Sequence, residues 1–301
     1  MTTIMPNFLI LGAAKAGTTS LHYYLDQHPE IYMSKVKEPR FFALEGETPN
    51  FQNPDNLINR TSITELEEYQ QLFADVSHEK AVGETSPLYL YSAKAVERIK
   101  YYIPQAKLIV VLRNPVERAY SCYTHLVREG YESLSFEAGL ATESERIANN
   151  WAHLWHYRQA GYYYQQVKRY FDCFAPEQIQ VYLYEDLNQD SVALVQNVCR
   201  FLEVADDFVP DLTRQNVSGI PKYKALHHLV NRGNSIRKAL KRVLPQQLRS
   251  TVAQNIREWN LQAKPPLTAT VAHKLKQQYR EDILKLQDLL QRDLVCWLSE
   301  S

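Results

Sequence analysis

The chain has 301 residues, 45% of them hydrophobic and 23% charged, with 34 basic and 34 acidic side chains. That length suits one large α/β domain or two small ones. A formal net charge of zero excludes global attraction to nucleic acid or acidic lipid and leaves room only for a local basic patch. No run approaches the roughly 20 apolar residues of a membrane-spanning helix. The N-terminus lacks the basic segment and small-residue cleavage site of a leader peptide. The four cysteines, Cys122, Cys173, Cys199 and Cys296, form no Cys-x-x-Cys pair and read as reduced, mostly packed thiols. A soluble, cytoplasmic protein is expected.

Phe8 to Leu11 is a short apolar run of the kind that makes a buried parallel strand. Gly12 and Gly17 then bracket a tight turn, and Thr18-Thr19-Ser20 open a helix with Leu21, Tyr24 and Leu25 on its apolar side. His28-Pro29 closes it. Strand, small-residue loop and helix N-terminus together make an anion site, because free N–H groups and the helix dipole act in one direction. The two glycines have the spacing of the Gly-x-x-x-x-Gly-Lys-Ser/Thr phosphate loop. Thr18, however, stands where that motif has its lysine, and the loop's one cation is Lys15.

A short second strand is expected at Ile31–Met33, followed by Lys35-Val36-Lys37-Glu38-Pro39-Arg40-Phe41-Phe42. Taken alone, a glutamate between lysines and a proline is a solvated loop residue. Residues 45–62 read as a surface loop, and Ile63 to Phe73 as a helix with Leu66, Tyr69, Gln70 and Phe73 at helical spacing. The third strand, Ala81 to Glu84, ends in the polar turn Thr85-Ser86-Pro87, with Tyr89 and Tyr91 beyond it. Ala93 to Tyr102 is a helix that Pro104 terminates, and Leu108–Leu112 is the clearest buried strand. Asn114 then suits an N-cap, Pro115 the first helical position and Glu117 a capping box. This holds Arg113 at a strand's carboxyl end, with Arg118 and Ser121 one turn apart on the next helix.

Trp151 to Phe174 is helix-rich and strongly aromatic, and its rings read mainly as packing residues. Gln178–Leu183 forms another strand, and Tyr184-Glu185-Asp186-Leu187 follows it. An apolar strand ending in two acids resembles a Walker B site; we read these acids as structural or loop-orienting. Leu212 to Ile256 carries no acid, while ten arginines and lysines from Arg214 to Arg257 lie in or just beyond it. That stretch is either a solvated helical face or a wall for a polyanion. Lys274–Trp297 is a terminal amphipathic helix with Leu275, Tyr279, Ile283, Leu286, Leu290 and Leu294 on its stripe. Alternating strands and helices predict one α/β domain over 1–301, a P-loop-like parallel sheet of about five strands flanked by helices on both faces. The C-terminal part is helical, and the site lies at the strands' carboxyl ends.

Three segments, in this order and spacing, resemble sulfotransferases that use 3′-phosphoadenosine 5′-phosphosulfate. Lys15-Ala16-Gly17-Thr18-Thr19 is similar to the family's 5′-phosphosulfate loop, and Arg113 with Ser121 to its 3′-phosphate motif. Tyr182-Leu183-Tyr184-Glu185-Asp186-Leu187 resembles its late strand. The segment Lys37-Glu38-Pro39-Arg40-Phe41-Phe42 is most similar to the glycosaminoglycan-type branch, heparan sulfate enzymes included, where its glutamate is the catalytic base. Against the 3-O-sulfotransferase pattern, Arg40 replaces a histidine, Ala43 an aspartate and Thr85 a lysine. Ser218, Gly219 and Lys222 stand in the place of the family's loop over the nucleotide.

The resemblance implies sulfuryl transfer to a hydroxyl or amine, with carbohydrate the favoured acceptor and no nucleic-acid partner. Lys15, the loop N–H groups and Thr18/Thr19 would stabilise the leaving phosphate; Glu38 would take the acceptor's proton. Arg113 offers a fork, and Ser121 a hydroxyl, to the 3′-phosphate. Arg40 and Tyr89 are candidate acceptor contacts. A sulfuryl group carries less charge than a phosphoryl group, so no metal is required. The alternatives are a P-loop kinase or NTPase with Asp186 as metal ligand, and a non-catalytic polyanion-binding protein. The displaced lysine argues against the first, and the presence of both Lys15 and Glu38 against the second.

Overall fold

In the computed structural model, residues 4–212, 220–221, 261–262 and 265–299 are described. They form a parallel sheet of β1 (Phe8–Gly12), β2 (Ile31–Met33), β3 (Ala81–Thr85), β4 (Lys107–Leu112) and β5 (Ile179–Leu183), in the order β2-β3-β1-β4-β5. Every side chain of β1 and β3 is buried, as a sheet covered on both faces requires. Phe8 lies opposite Gly83, where a Cβ would come within 2.3 Å of the Phe8 ring. The β1–β3 pairing thus needs glycine at that position.

The helices that matter for the site are α1 (Thr18–Leu25), α2 (Ala93–Tyr102), α3 (Pro115–Glu129), α4 (Tyr163–Cys173), α5 (Ser191–Leu202) and α6 (Ala269–Leu290). Helix α1 packs on β1, β2 and β3 and against α5; α2 packs against α4, and α6 packs on α4 and α3. The terminal helix begins five residues earlier than its apolar stripe indicates and stops at Leu290. Leu275, Tyr279, Ile283 and Leu286 are buried as expected, whereas Leu294 is buried from beyond the helix end. Residues 45–62 contain only the short helix Leu57–Thr61, and the helix expected over 63–73 is confined to Leu66–Gln71. Cys122 and Cys199 are buried, but Cys173 and Cys296 are exposed.

The topology fixes where a ligand goes. The chain passes from β1 outward to β2 and β3, then returns to β1's other side for β4 and β5. The switch point is therefore the crevice between the carboxyl ends of β1 and β4, where open parallel sheets bind their ligands. The residues following those two strands are the Lys15 loop and Arg113.

Candidate active site

The loop from Ala13 leaves β1 and enters α1 through Gly17, whose φ of 88° lies in the left-handed region. A Cβ there would sit 2.6 Å from Leu187 and 3.1 Å from Tyr184, so glycine alone lets the turn pack on the segment after β5. Ala16 is fully buried and Thr18 nearly so. No side chain caps α1, and its first turn holds no acid. The first N–H groups of a helix, here those of Thr18, Thr19 and Ser20, lack internal partners. Together they make the end of α1 ready for an anion. Lys15 joins them from a left-handed position of its own, φ 70°.

Arg113 reaches the same crevice from β4. Its Nη1 donates to the Lys15 carbonyl at 3.4 Å, and its guanidinium stacks over the Tyr184 ring at 4.4 Å. Nε and Nη2 donate to Glu117 at 3.2 and 2.9 Å. Glu117, expected in a capping box, is thus an ion-pair partner. Asn114 alone caps the helix, its Oδ1 accepting from the N–H groups of Val116 and Glu117. Ser121 lies further along α3, partly exposed, while Arg118 turns inward to the Tyr157 carbonyl and is 1% exposed.

The third component comes off β2. The chain runs along the end of β3, with Ser34 N–H donating to Gly83, Glu38 N–H to the Thr85 carbonyl at 3.0 Å, and Arg40 N–H to Ser86 Oγ at 3.0 Å. Phe41 and Phe42 are fully buried; Phe41 stacks on Tyr69 at 4.4 Å, and Phe42 meets Tyr89 edge-on at 5.5 Å. Burying two such rings contributes on the order of 2–3 kcal/mol each, enough to hold the turn before them in strain. Both Glu38 (φ 60°) and Arg40 (φ 61°) are left-handed. Among the described residues, Lys15, Glu38 and Arg40 account for three of the six non-glycine residues with positive φ, and strain of this kind concentrates at functional sites.

Glu38 pairs with Lys37 Nζ at 2.8 Å and Arg40 Nη2 at 3.0 Å. Burial works to raise its pKa, but the two cations prevail and hold it at about 2. Burial lowers Lys15 from the usual lysine value, opposed in part by the Glu38 charge, so the two groups share one electrostatic environment. His125 and His153 stand in that field as well; burial first, then neighbouring cations, lower each to about 3. Both imidazoles are neutral at physiological pH.

The two expected acceptor contacts are both buried. Tyr89 is fully buried, its hydroxyl accepting the Phe42 N–H, because the turn after β3 folds back into the core. Arg40 is 7% exposed and directs its guanidinium to Glu38 and Thr61. Its guanidinium is therefore already engaged beside the Glu38 carboxylate. Ser218, Gly219, Lys222 and the basic stretch 214–257 lie outside the described residues. The acids after β5 are structural, as read from the sequence. Asp186 accepts the Leu183 N–H at 2.9 Å and pairs with Arg292 at 2.6 Å; Glu185 accepts the Trp297 indole N–H at 3.0 Å.

Sequence reasoning missed Glu84. It is fully buried, accepts from Tyr69 at 3.3 Å and from Ser86 at 2.9 Å, and through Ser86 supports the backbone of Arg40. The signal was an acid inside an apolar strand, Ala-Val-Gly-Glu-Thr. Burial raises its pKa to about 7 against three hydrogen bonds that lower it. A raised carboxyl contributes stability that is complete below its unfolded value of 4.5 and is lost as pH climbs to about 7. Relative to the native chain, Glu84→Gln should therefore gain on the order of 3 kcal/mol between pH 4.5 and 8. Denaturant unfolding at both pH values checks this, and a pH-independent difference refutes it.

A profile of the sulfotransferase family matches residues 6–208. A solved sulfotransferase from Alicyclobacillus acidocaldarius superposes with a TM-score of 0.79 at 34% identity, covering 98% of this chain and 100% of that one. The bifunctional heparan sulfate N-deacetylase/N-sulfotransferase 3 of Homo sapiens is 30% identical over 211 residues, 66% of this chain. The membrane-associated sulfotransferase kil1 of Dictyostelium discoideum is 32% identical over 119 residues, 40% of this chain. The chain spans 22% of the length of each of these two curated relatives. Among the described residues, no helix is long and apolar enough to cross a membrane. With the sheet, its switch-point crevice and the segments around it all inside the matched region, this chain belongs to the sulfotransferase family.

Proposed function

We propose that the protein transfers a sulfuryl group from 3′-phosphoadenosine 5′-phosphosulfate to a hydroxyl or amine of a carbohydrate. The observation that carries the donor is the contact between Arg113 and the Lys15 loop. It puts two anion-binding centres side by side at the sheet's switch point, which a nucleotide phosphorylated on both the 3′ and 5′ carbons requires. Carbohydrate as acceptor is supported by the heparan sulfate enzyme among the relatives.

In this reading, the acceptor oxygen or nitrogen forms a bond to sulfur while the sulfur–oxygen bond to the 5′-phosphate breaks. The bonding electrons stay on the phosphate, where Lys15 and the α1 N–H groups stabilise them. The acceptor's proton passes to Glu38. A carboxylate held at about 2 is a weak base in the free protein. The donor's own negative charge raises it on binding, as like charges do.

Arg113→Ala should weaken adenosine 3′,5′-bisphosphate binding by about 2–4 kcal/mol, the cost of removing one partner of a charged pair. Its pair with Glu117, whose carboxylate is largely open to solvent, offers little competition, since solvent-screened pairs are worth about 0–1 kcal/mol. Adenosine 5′-monophosphate should bind the variant and the native protein alike. Titration calorimetry with both nucleotides decides; equal losses for the two would make Arg113 structural, and preference for ATP–magnesium would favour an NTPase.

A further inference from the structure

Building on that donor site, we propose that the C-terminal segment Arg292–Leu298 positions Arg113 for the 3′-phosphate, with Trp297 and Arg292 as its positioning residues. The segment leaves α6 at Gln291, which closes the helix with φ 50°. It returns to the sheet's carboxyl edge in a 3₁₀ turn over Val295–Trp297. Trp297 is 1% exposed and makes three connections there. Its indole N–H donates to Glu185 at 3.0 Å, its carbonyl accepts from Asn114 Nδ2 at 3.4 Å, and its ring lies 6.3 Å from that of Tyr163. Tyr163 in turn donates its hydroxyl to the Arg113 carbonyl at 3.1 Å. Arg292 pairs with Asp186 at 2.6 Å.

One short segment thus ties the exit of β4 to the exit of β5. Arg113 lies between them, its backbone held by Tyr163 and its guanidinium laid on Tyr184. The turn beginning at Tyr184 also packs against Gly17, so the clasp reaches the 5′ side of the site. Two physical effects follow. A guanidinium fixed before binding loses less rotamer entropy when the phosphate arrives. The clasp also occupies Glu185 and Asp186, on the turn whose Tyr184 ring carries the Arg113 guanidinium. A carboxylate freed of its donor there adds negative charge that weakens phosphate binding.

The test is calorimetry on the full chain with adenosine 3′,5′-bisphosphate and adenosine 5′-monophosphate, for the native protein, Trp297→Phe and Arg292→Met. Trp297→Phe retains an aromatic ring and removes the N–H. Arg292, with 38% of its side chain exposed, can be changed without touching the core, so Arg292→Met decides if Trp297→Phe does not fold. Bisphosphate affinity should drop roughly tenfold in each, the size of losing the pre-ordering of one rotamer-rich side chain. Monophosphate affinity should stay within about twofold. Equal weakening of both nucleotides, or no change in either, overturns the positioning role. A native protein that fails to prefer the bisphosphate overturns the donor reading itself, a result distinct from discrimination that survives in the variants.

Discussion

In a Glu38→Gln variant, sulfuryl transfer should fall by about 10²–10⁴-fold, the usual share of a general base, with bisphosphate affinity retained. The glutamine keeps the shape and one oxygen able to accept from Lys37 or Arg40, and it removes the proton acceptor. Because the turn is held by the buried rings of Phe41 and Phe42 and by the Arg40 N–H on Ser86, the backbone should stay in place. The pH dependence separates base from structure. A carboxyl depressed to about 2 contributes stability above its unfolded value of 4.5, and that contribution disappears as pH falls through 2. The variant's stability deficit should therefore be constant across neutral pH and vanish in strong acid. The free protein should show no acid limb from Glu38 in its kcat/KM profile near neutrality. Measuring nucleotide affinity and transfer on one preparation is the decisive experiment. If transfer survives, the proton goes elsewhere, and the neutral imidazoles of His125 and His153 in the same field become the next candidates.

The fold was legible because its main signals are local. Five apolar runs became the five strands, and Asn114-Pro115 starts α3 as capping rules require. The candidate site was legible to the extent that it resides in short segments: the Lys15 loop, Glu38 with its two aromatic anchors, and Arg113. What escaped is what only the packed chain creates. Glu117 has the spacing of a capping-box acid and that of an i,i+4 partner to Arg113; the guanidinium captured it. Tyr89 follows a polar turn and is a candidate acceptor contact by sequence, yet the turn folds into the core. Glu84 looks ordinary until Tyr69 and Ser86 close over it. The pairing of Trp297 with Glu185 joins residues 112 positions apart, a distance across which no periodicity carries information.

Lys15→Ala should lower turnover by roughly 10²-fold or more, the scale of removing one donor to a charge that develops in the transition state. The substitution is unusually clean. Both residues carry a Cβ, so the left-handed backbone at φ 70° costs the variant the same strain as the native loop. The N–H groups at the start of α1 are unchanged, and Arg113 still has the residue-15 carbonyl to donate to. Bisphosphate should accordingly bind with a smaller loss than turnover shows, because the lysine acts mostly on charge that appears as the bond to the leaving phosphate breaks. A second readout needs no acceptor. His125 is lowered to about 3 by burial first and by the Lys15 charge next. Deleting that charge should move the imidazole upward, which an NMR titration of the histidine ring protons detects. Reduced turnover with a raised His125 would establish Lys15 as a cation within the reaction cleft. Turnover within tenfold of native would instead leave the leaving phosphate to the helix N-terminus alone, and the loop lysine would have no part in the chemistry.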